Sequence, residues 1–213
     1  MPIITPTQFI EFPIISDQLI FAEPIELKAT ATSGLDVDFE LIEGPATLDG
    51  NILTLTGEEG IVKVKAVQNG NNEWQAAPSV TRTFEVIDPN KYTPEITIRR
   101  PYDGTMVYVN DLESPIIISL SVYVEHGDAI KFESVTCDIE GETIELMTSY
   151  PDDPTNGYWY TQWVPTKYGT YNMTANIQQS GGKVTSFSNT FEVFSFHYHS
   201  QHLHHNHHRP HHL

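Results

Sequence analysis

The sequence predicts an all-β protein made of two β-sandwiches in tandem, followed by a histidine-rich C-terminal tail. Apolar and polar residues alternate over short segments, which is the period-2 pattern of strands with one buried face, and no segment carries a helical period. Turn-forming Gly, Asn and Asp residues separate these segments at short intervals. At 213 residues the chain is long enough for two domains of about 100 residues each.

The first half contains six strand candidates, separated by turn signals such as "TSGLD", "LDGN" and "QNGNNE". In "GIVKVKA" the residues Val62, Val64 and Ala66 share one face, whereas Lys63 and Lys65 share the other, so one side of that sheet should be core and the other wet. The candidates are Gln8–Phe12, Ile25–Ala31, Val37–Ile42, Ile52–Leu55, Gly60–Ala66 and Val80–Val86.

The segment "IDPNKYTPE" interrupts the alternation with two prolines and several polar residues, which is typical of a linker. A second set of strand candidates follows: Glu95–Arg99, Thr105–Tyr108, Ile116–Glu125, Ile130–Ile139, Glu142–Met147, Tyr158–Trp163, Gly169–Gln178 and Lys183–Val193. This density of strands predicts a second sandwich. The predicted organisation is sandwich 1 at 1–87, linker at 88–94, sandwich 2 at 95–193 and tail at 194–213.

The net charge restricts the possible partners of the chain, and the cysteine count excludes stabilisation by an intrachain disulfide. The formal net charge of −17 would repel a nucleic-acid backbone or an anionic membrane, and no apolar run is long enough for membrane insertion. With a single cysteine, Cys137, no intrachain disulfide can form, and we expect a buried, unpaired thiol. The N-terminus "MPIITPTQFIEF" has no export-signal pattern, which favours a protein used without secretion, such as a virion component, over a fragment of an exported protein.

Several motifs of the two halves are similar to those of bacterial Ig-like modules. In the first half, "ATATSGLDVDFE", "GNILTLTGEEG" and "VQNGNNEWQAA" resemble Ig-like repeats of large Bacteroidota surface proteins. In the second half, "PEITIRRPYDG" and "YWYTQWVPTKYGTYNMTANIQQSGG" resemble, more weakly, another group of bacterial Ig-like modules. The resemblance implies Ig-like sandwiches that act as spacers, adhesins or decorations on phage capsids and tails, and it does not extend to the tail.

No set of residues predicts an enzyme, because catalysis needs a nucleophile, a base and an orienting group at workable spacing. His126 lies beside a Gly-Asp turn signal and is expected to be a solvated turn residue. Asp152 and Asp153 could ligate calcium, but the alternating Asp spacing of a calcium loop is missing. Asp88 and Asn90 offer only two ligands for a calcium ion near the linker. We therefore expect no enzyme activity and no required cofactor.

Aromatic residues in "GYWYTQWVP" provide a candidate glycan contact. Trp159 and Trp163 fall on one face of the predicted strand, and Tyr158 and Tyr160 fall on the other. If the tryptophans are core, the two tyrosines are left at the surface together with Tyr150.

The C-terminal tail combines aromatic residues with histidines. Phe194, Phe196 and Tyr198 should project as an exposed stripe beyond the last strand, which predicts an assembly or attachment element. His197 and His199 would share one face in an extended chain, and with His202 and His204 they could bind a transition metal at a symmetry axis. A low-complexity tail with loose metal binding and an interrupted purification tag are the alternatives.

Two classes of function remain open from the sequence. The first is a structural protein of a phage virion, in a capsid decoration or a tail, whose partners are other virion proteins or further copies of itself. The second is a cell-surface adhesin or spacer that binds host-surface glycans. The missing export signal favours the first, and further repeats or a signal peptide in the same gene would favour the second.

Overall fold

The structure is a computed structural model that describes residues 5–148 and 157–196. The chain divides into two compact units, Met1–Lys91 and Tyr92–Leu213, and the boundary falls inside the predicted linker. A turn of 3-10 helix, Pro89–Lys91, follows the last strand of unit 1. The fold class is all-β, as predicted, and each unit is a β-sandwich. Over the described residues, no helix has both the length and the hydropathy needed to span a membrane.

Unit 1 contains a four-stranded sheet of order β2-β9-β8-β5, a three-stranded sheet of order β3-β7-β6 and the two-stranded pair β1-β4. Its strands are β1 Ile10–Glu11, β2 Gln18–Leu19, β3 Ile25–Glu26, β4 Thr30–Ala31, β5 Asp38–Glu43, β6 Ala46–Asp49, β7 Ile52–Leu55, β8 Gly60–Val67 and β9 Val80–Ile87.

Two features of unit 1 differ from the predicted strands. The predicted strand Ile25–Ala31 is divided into β3 and β4, because β3 pairs with β7 whereas β4 pairs with β1. Leu27, between them, bonds to Asn51 through its backbone N–H and is buried in the core. The short strands β2 and β6 were not predicted.

The core of unit 1 follows the alternation of β8. Val62, Val64 and Ala66 are fully buried, as predicted. Lys63 and Lys65 lie on the other face and form ion pairs with Glu43 and Glu40 on the neighbouring strand, each at 2.5 Å. The alternation therefore assigned the inner and outer faces of this sheet correctly.

The N-terminal segment is fixed to unit 1 by polar contacts around the buried Gln8. The Gln8 Nε2 donates to Gln68 Oε1 and to the Gln75 carbonyl oxygen, both at 2.7 Å, while its Oε1 accepts from Ser33 Oγ at 2.5 Å. Farther along, the Arg82 Nε donates to the Phe12 carbonyl oxygen at 2.7 Å. A buried amide with three partners holds its segment in one position, because losing any partner would leave a polar atom unsatisfied.

Unit 2 is a sandwich of a four-stranded sheet, β10-β12-β16-β15, and a five-stranded sheet, β11-β18-β17-β13-β14. Its strands are β10 Glu95–Arg100, β11 Met106–Val109, β12 Ile116–Tyr123, β13 Phe132–Ile139, β14 Glu142–Glu145, β15 Met147–Thr148, β16 Gly157–Trp163, β17 Gly169–Gln179 and β18 Val184–Ser195. The predicted strand Glu142–Met147 is divided, because β14 and β15 belong to opposite sheets and the buried Leu146 lies between them.

Aromatic rings join the two sheets of unit 2. Trp163 on β16 packs edge-on against Tyr171 on β17, with ring centroids 4.9 Å apart, and against Phe191 on β18 at 6.4 Å. Phe191 and Val193 are fully buried, as expected for the end of the last strand. Cys137 on β13 is buried in this core without a disulfide, which confirms the prediction.

Candidate binding face

The outer face of the four-stranded sheet in unit 2 presents the predicted tyrosine pair. Trp159 and Trp163 are buried, whereas Tyr158 and Tyr160 are 38% and 37% exposed, so the assignment of the two faces of β16 is confirmed. The two tyrosine rings are stacked, with centroids 6.0 Å apart and planes inclined by 25°. The third tyrosine predicted for this face, Tyr150, lies outside the described residues.

Strand β12 places small side chains beside the tyrosines. Ser119 is paired with Tyr160 and Ser121 with Tyr158, so the two serines share the outer face with the rings. Ser119 is fully buried, and its hydroxyl has no hydrogen-bond partner among the described residues. The small serine side chains therefore stand next to two larger rings, and the hydroxyl of the covered Ser119 is unsatisfied among the described residues.

Strand β10 adds two exposed arginines on the far side of the serines. A bulge between Ile98 and Arg100 lets Arg100 pair with Ser119, and the Arg99 Nε donates to Ser121 Oγ at 3.0 Å. Both arginines therefore belong to the outer face. Within the described part of the chain, neither forms an ion pair with a carboxylate.

Most lysines of the described chain differ from these arginines in having an acidic partner. Lys167, for example, bonds Glu140 Oε2 at 2.8 Å, and this hydrogen bond, with the charge of the same carboxylate, raises the pKa of Lys167. Arg99 and Arg100 lack such a carboxylate partner among the described residues, although the chain has 28 acidic residues and 11 basic ones.

We name this surface the Tyr–Arg strip and define it by residues of four adjacent strands. Met147 on β15 pairs with Tyr160 and is exposed beside its ring. Because neighbouring strands lie about 4.8 Å apart, the arginine backbone and the tyrosine backbone are about 10 Å apart across the strip, with β12 between them. The strip consists of Arg99, Arg100, Ser119, Ser121, Met147, Tyr158 and Tyr160.

The predicted assembly stripe is only partly exposed. Strand β18 continues to Ser195, two residues beyond its predicted end, because it pairs in parallel with β11. Phe194 is consequently half-buried, with its ring centroid 5.9 Å from that of Tyr108, which corrects the expectation of an exposed side chain. Phe196 is 56% exposed and Met106 is 61% exposed. We call Met106, Tyr108, Phe194 and Phe196 the edge patch.

The tail contains five further candidate residues. Tyr198 and the candidate metal ligands His197, His199, His202 and His204 lie outside the described residues. Metal binding at the tail stays a prediction.

Two of the minor candidates have local structural roles. His126 is a turn residue, as predicted, with a left-handed backbone conformation of φ 58°. Its side chain is half-buried rather than solvated, with its ring 4.7 Å from that of Tyr92. Asp88 Oδ1 accepts hydrogen bonds from the backbone and side-chain nitrogens of Asn90, which forms a local turn. Asp152 and Asp153 lie outside the described residues.

Unit 1 contains an open cleft of about 710 Å³. Leu27, Val37 and Phe39 contribute apolar walls, and Glu11, Lys28 and Asp36 are the charged residues that line it. Its described lining includes no histidine or cysteine, and Thr30 is its one hydroxyl side chain. These residues do not form a nucleophile–base pair of the kind that covalent catalysis uses.

No family model matches the chain, and no curated protein matches it. Similar solved structures include fibronectin(III)-like modules of Clostridium thermocellum CbhA, which are 17% identical with a TM-score of 0.38 over 96% of this chain and 100% of that chain. Domains 4 and 5 of the S-layer protein SbsC are 15% identical, with a TM-score of 0.40 over 79% of this chain and 82% of that chain.

Sidekick-1 immunoglobulin domains 1–5 are 11% identical, with a TM-score of 0.40 over 88% of this chain and 39% of that chain. This chain therefore spans less than half of the Sidekick-1 fragment. Function has to be argued from the residues at the surface. The resemblance to Bacteroidota repeats stays a prediction.

Proposed function

We propose that the chain is a non-enzymatic adhesion or display module that works at a cell surface or outside cells, and that the outer face of its second sandwich binds glycans. The stacked and exposed pair Tyr158 and Tyr160 carries this proposal. Two exposed and nearly parallel rings offer apolar faces on which the apolar face of a sugar ring can stack, while the phenol hydroxyls stay available for hydrogen bonds.

The surrounding residues support a binding face in preference to a plain solvated sheet face. Met147 extends the apolar surface next to Tyr160, and the positions paired with the two tyrosines on β12 carry small serine side chains. Exposed aromatic residues that cluster on one face are typical of contact surfaces. A virion role, the first expectation from the sequence, receives no support from this face, so we favour the surface-protein interpretation.

The test is binding of the full chain to a panel of neutral and acidic polysaccharides, measured by affinity electrophoresis and calorimetry. Tyr158→Ala with Tyr160→Ala should abolish binding to every polysaccharide that the parent chain retains. Tyr102→Ala with Tyr168→Ala removes two exposed tyrosines elsewhere in unit 2 and should leave binding unchanged. Equal retention of the two double variants, or no binding by the parent chain, would rule out this face as a glycan site.

A further inference from the structure

The Tyr–Arg strip carries a chemical preference that its tyrosines alone do not explain. Its two guanidinium groups lack carboxylate partners among the described residues, although the chain as a whole has 28 acidic residues. Two adjacent guanidinium groups therefore place two positive charges side by side on this face of an acidic chain.

The geometry separates the cationic side of the strip from its aromatic side by one strand. Arg99 is tethered through Nε to Ser121 Oγ at 3.0 Å, which leaves its two terminal nitrogens able to donate. Arg100 and Tyr160 flank Ser119 on either side, through the strand pairs Arg100–Ser119 and Ser119–Tyr160. The backbones of the two sides are about 10 Å apart, with β12 between them.

The buried Ser119 hydroxyl is a second, independent observation at the same place. Its oxygen has no hydrogen-bond partner among the described residues, although the residue is fully buried. Buried hydroxyls in folded proteins are nearly always paired, so this unpaired one is an exception, and it lies between Arg100 and Tyr160.

We propose that the strip binds carboxylated sugars, with the sugar ring stacked on Tyr158 and Tyr160 and its carboxylate held by Arg99 and Arg100. This inference rests on the proposed glycan-binding function and adds the charge class of the ligand. Guanidinium suits this role because its planar fork matches a carboxylate with two parallel hydrogen bonds, which an ammonium group cannot do.

The experiment compares polygalacturonate with its methyl ester, which has the same sugar rings but no charge. The parent chain should bind polygalacturonate at least about fivefold more tightly than the ester, and the difference should shrink as salt is raised because the arginines are exposed. Arg99→Gln with Arg100→Gln should remove the difference between polygalacturonate and its ester. Lys63→Gln with Lys65→Gln, which removes the same charge from unit 1, should preserve the difference.

The outcomes separate this inference from the proposed function. Equal binding of acid and ester that still depends on Tyr158 and Tyr160 would overturn the carboxylate preference and leave the glycan site standing. Loss of the preference in the lysine variant as well would show an effect of net charge and would also overturn it. Dextran sulfate tests whether the site prefers carboxylates to other anions. If it binds as tightly as polygalacturonate, the strip is a general anion site and the proposed carboxylate preference is wrong. Failure of both polygalacturonate and ester to bind would remove this inference, whereas the proposed function is decided by the wider panel.

Discussion

At the scale of single residues, Tyr171 shows how one side chain joins a loop to the core of unit 2. Its ring is fully buried against Trp163 and Phe191, while its hydroxyl accepts from the backbone nitrogens of Thr166 and Lys167 and donates to the Lys167 carbonyl oxygen. This arrangement is similar to the tyrosine corner of immunoglobulin-like sandwiches. It satisfies the polar atom of a buried residue and fixes the turn before β17.

Cys137 gives a residue-scale prediction about pH. Burial, with a smaller contribution from the charge of Asp138, raises the pKa of the Cys137 thiol from 9.0 to about 12. Above about pH 9 the unfolded chain loses this proton while the folded chain keeps it, so rising pH favours unfolding. Between about pH 9.5 and 11, the free energy of unfolding of the parent chain should fall about 1.4 kcal/mol per pH unit more steeply than that of Cys137→Ala.

Urea unfolding at a series of pH values measures this difference in slope, and other titrating groups cancel because both proteins share them. Parallel slopes would contradict the raised pKa of the thiol. Rapid labelling of the folded protein by a thiol reagent near pH 8 would contradict its burial.

The sequence predicted residues of the candidate site where the alternation of one strand was enough. Tyr158 and Tyr160 were assigned to the outer face by period 2 alone. Arg99, Arg100 and Ser119 were missed because their proximity to the tyrosines depends on strand pairing and on a bulge, which no single strand encodes. Phe194 was wrongly expected to be exposed because its partner, Tyr108, is far away in sequence.

At the scale of elements, the corner between β5 and β6 depends on one glycine. A register shift between Leu41 and Glu43 marks a bulge near the end of β5, and Gly44 follows with φ +114°. A Cβ atom at Gly44 would lie 2.4 Å from the Ile61 carbonyl oxygen on β8. The close approach of the two backbones therefore requires a residue without a side chain.

Gly44→Ala should lower the free energy of unfolding by about 2–4 kcal/mol, because the substitution combines backbone strain with a clash against an atom that cannot move away cheaply. Gly57→Ala is the matched control, since Gly57 also has positive φ, at +86°, but nothing lies within 4 Å of the position of a Cβ atom. Its cost should be about 1 kcal/mol. Chemical unfolding measures both, and equal costs would show that the contact with Ile61 is unimportant.

Strand positions were largely predictable, and their partners were not. Ile52–Leu55 was predicted at its observed bounds, and the long strands β8, β9, β16 and β17 were predicted within one residue at each end, because their alternation is regular. The segments 25–31 and 142–147 each divide between sheets, since a change of partner leaves no mark on period-2 alternation. The parallel pairing of β11 with β18 was likewise invisible in the sequence, because it joins segments more than 80 residues apart.

At the scale of the whole molecule, turn spacing predicted two sandwiches in tandem, and composition gave the acidic charge. The sequence predicted single contact residues but not the surfaces that they form with residues of other strands. The edge patch lies on and beside β11, the outermost strand of the five-stranded sheet, which has no further strand beside it among the described residues. Such edges tend to pair with another chain unless they are protected. The predicted partnership of the chain with copies of itself therefore has a specific surface to test.

We expect the chain to self-associate through the edge patch, because covering Met106 and Phe196 removes apolar area from water at about 25 cal/mol per Å². Phe196→Ser should shift the solution mass, measured by analytical ultracentrifugation, towards the monomer. Phe187→Ser removes a comparably exposed phenylalanine, 48% against 56%, which lies on β18 outside the patch, and should leave the mass unchanged.

A truncated chain that ends at Phe196 lacks the histidines of the tail but keeps the edge patch and all of β18. A chain that ends at Val193 would also lose the two residues of β18 that pair with Tyr108 and Val109. If the histidines hold a metal in the assembly, removing them or adding chelator should dissociate it at neutral pH, and acid below about pH 6 should do the same because protonated imidazole cannot ligate. If the edge patch suffices, the chain ending at Phe196 should assemble as the full chain does, and chelator should have no effect. Monomeric full-length protein at every accessible concentration would contradict self-association by either route.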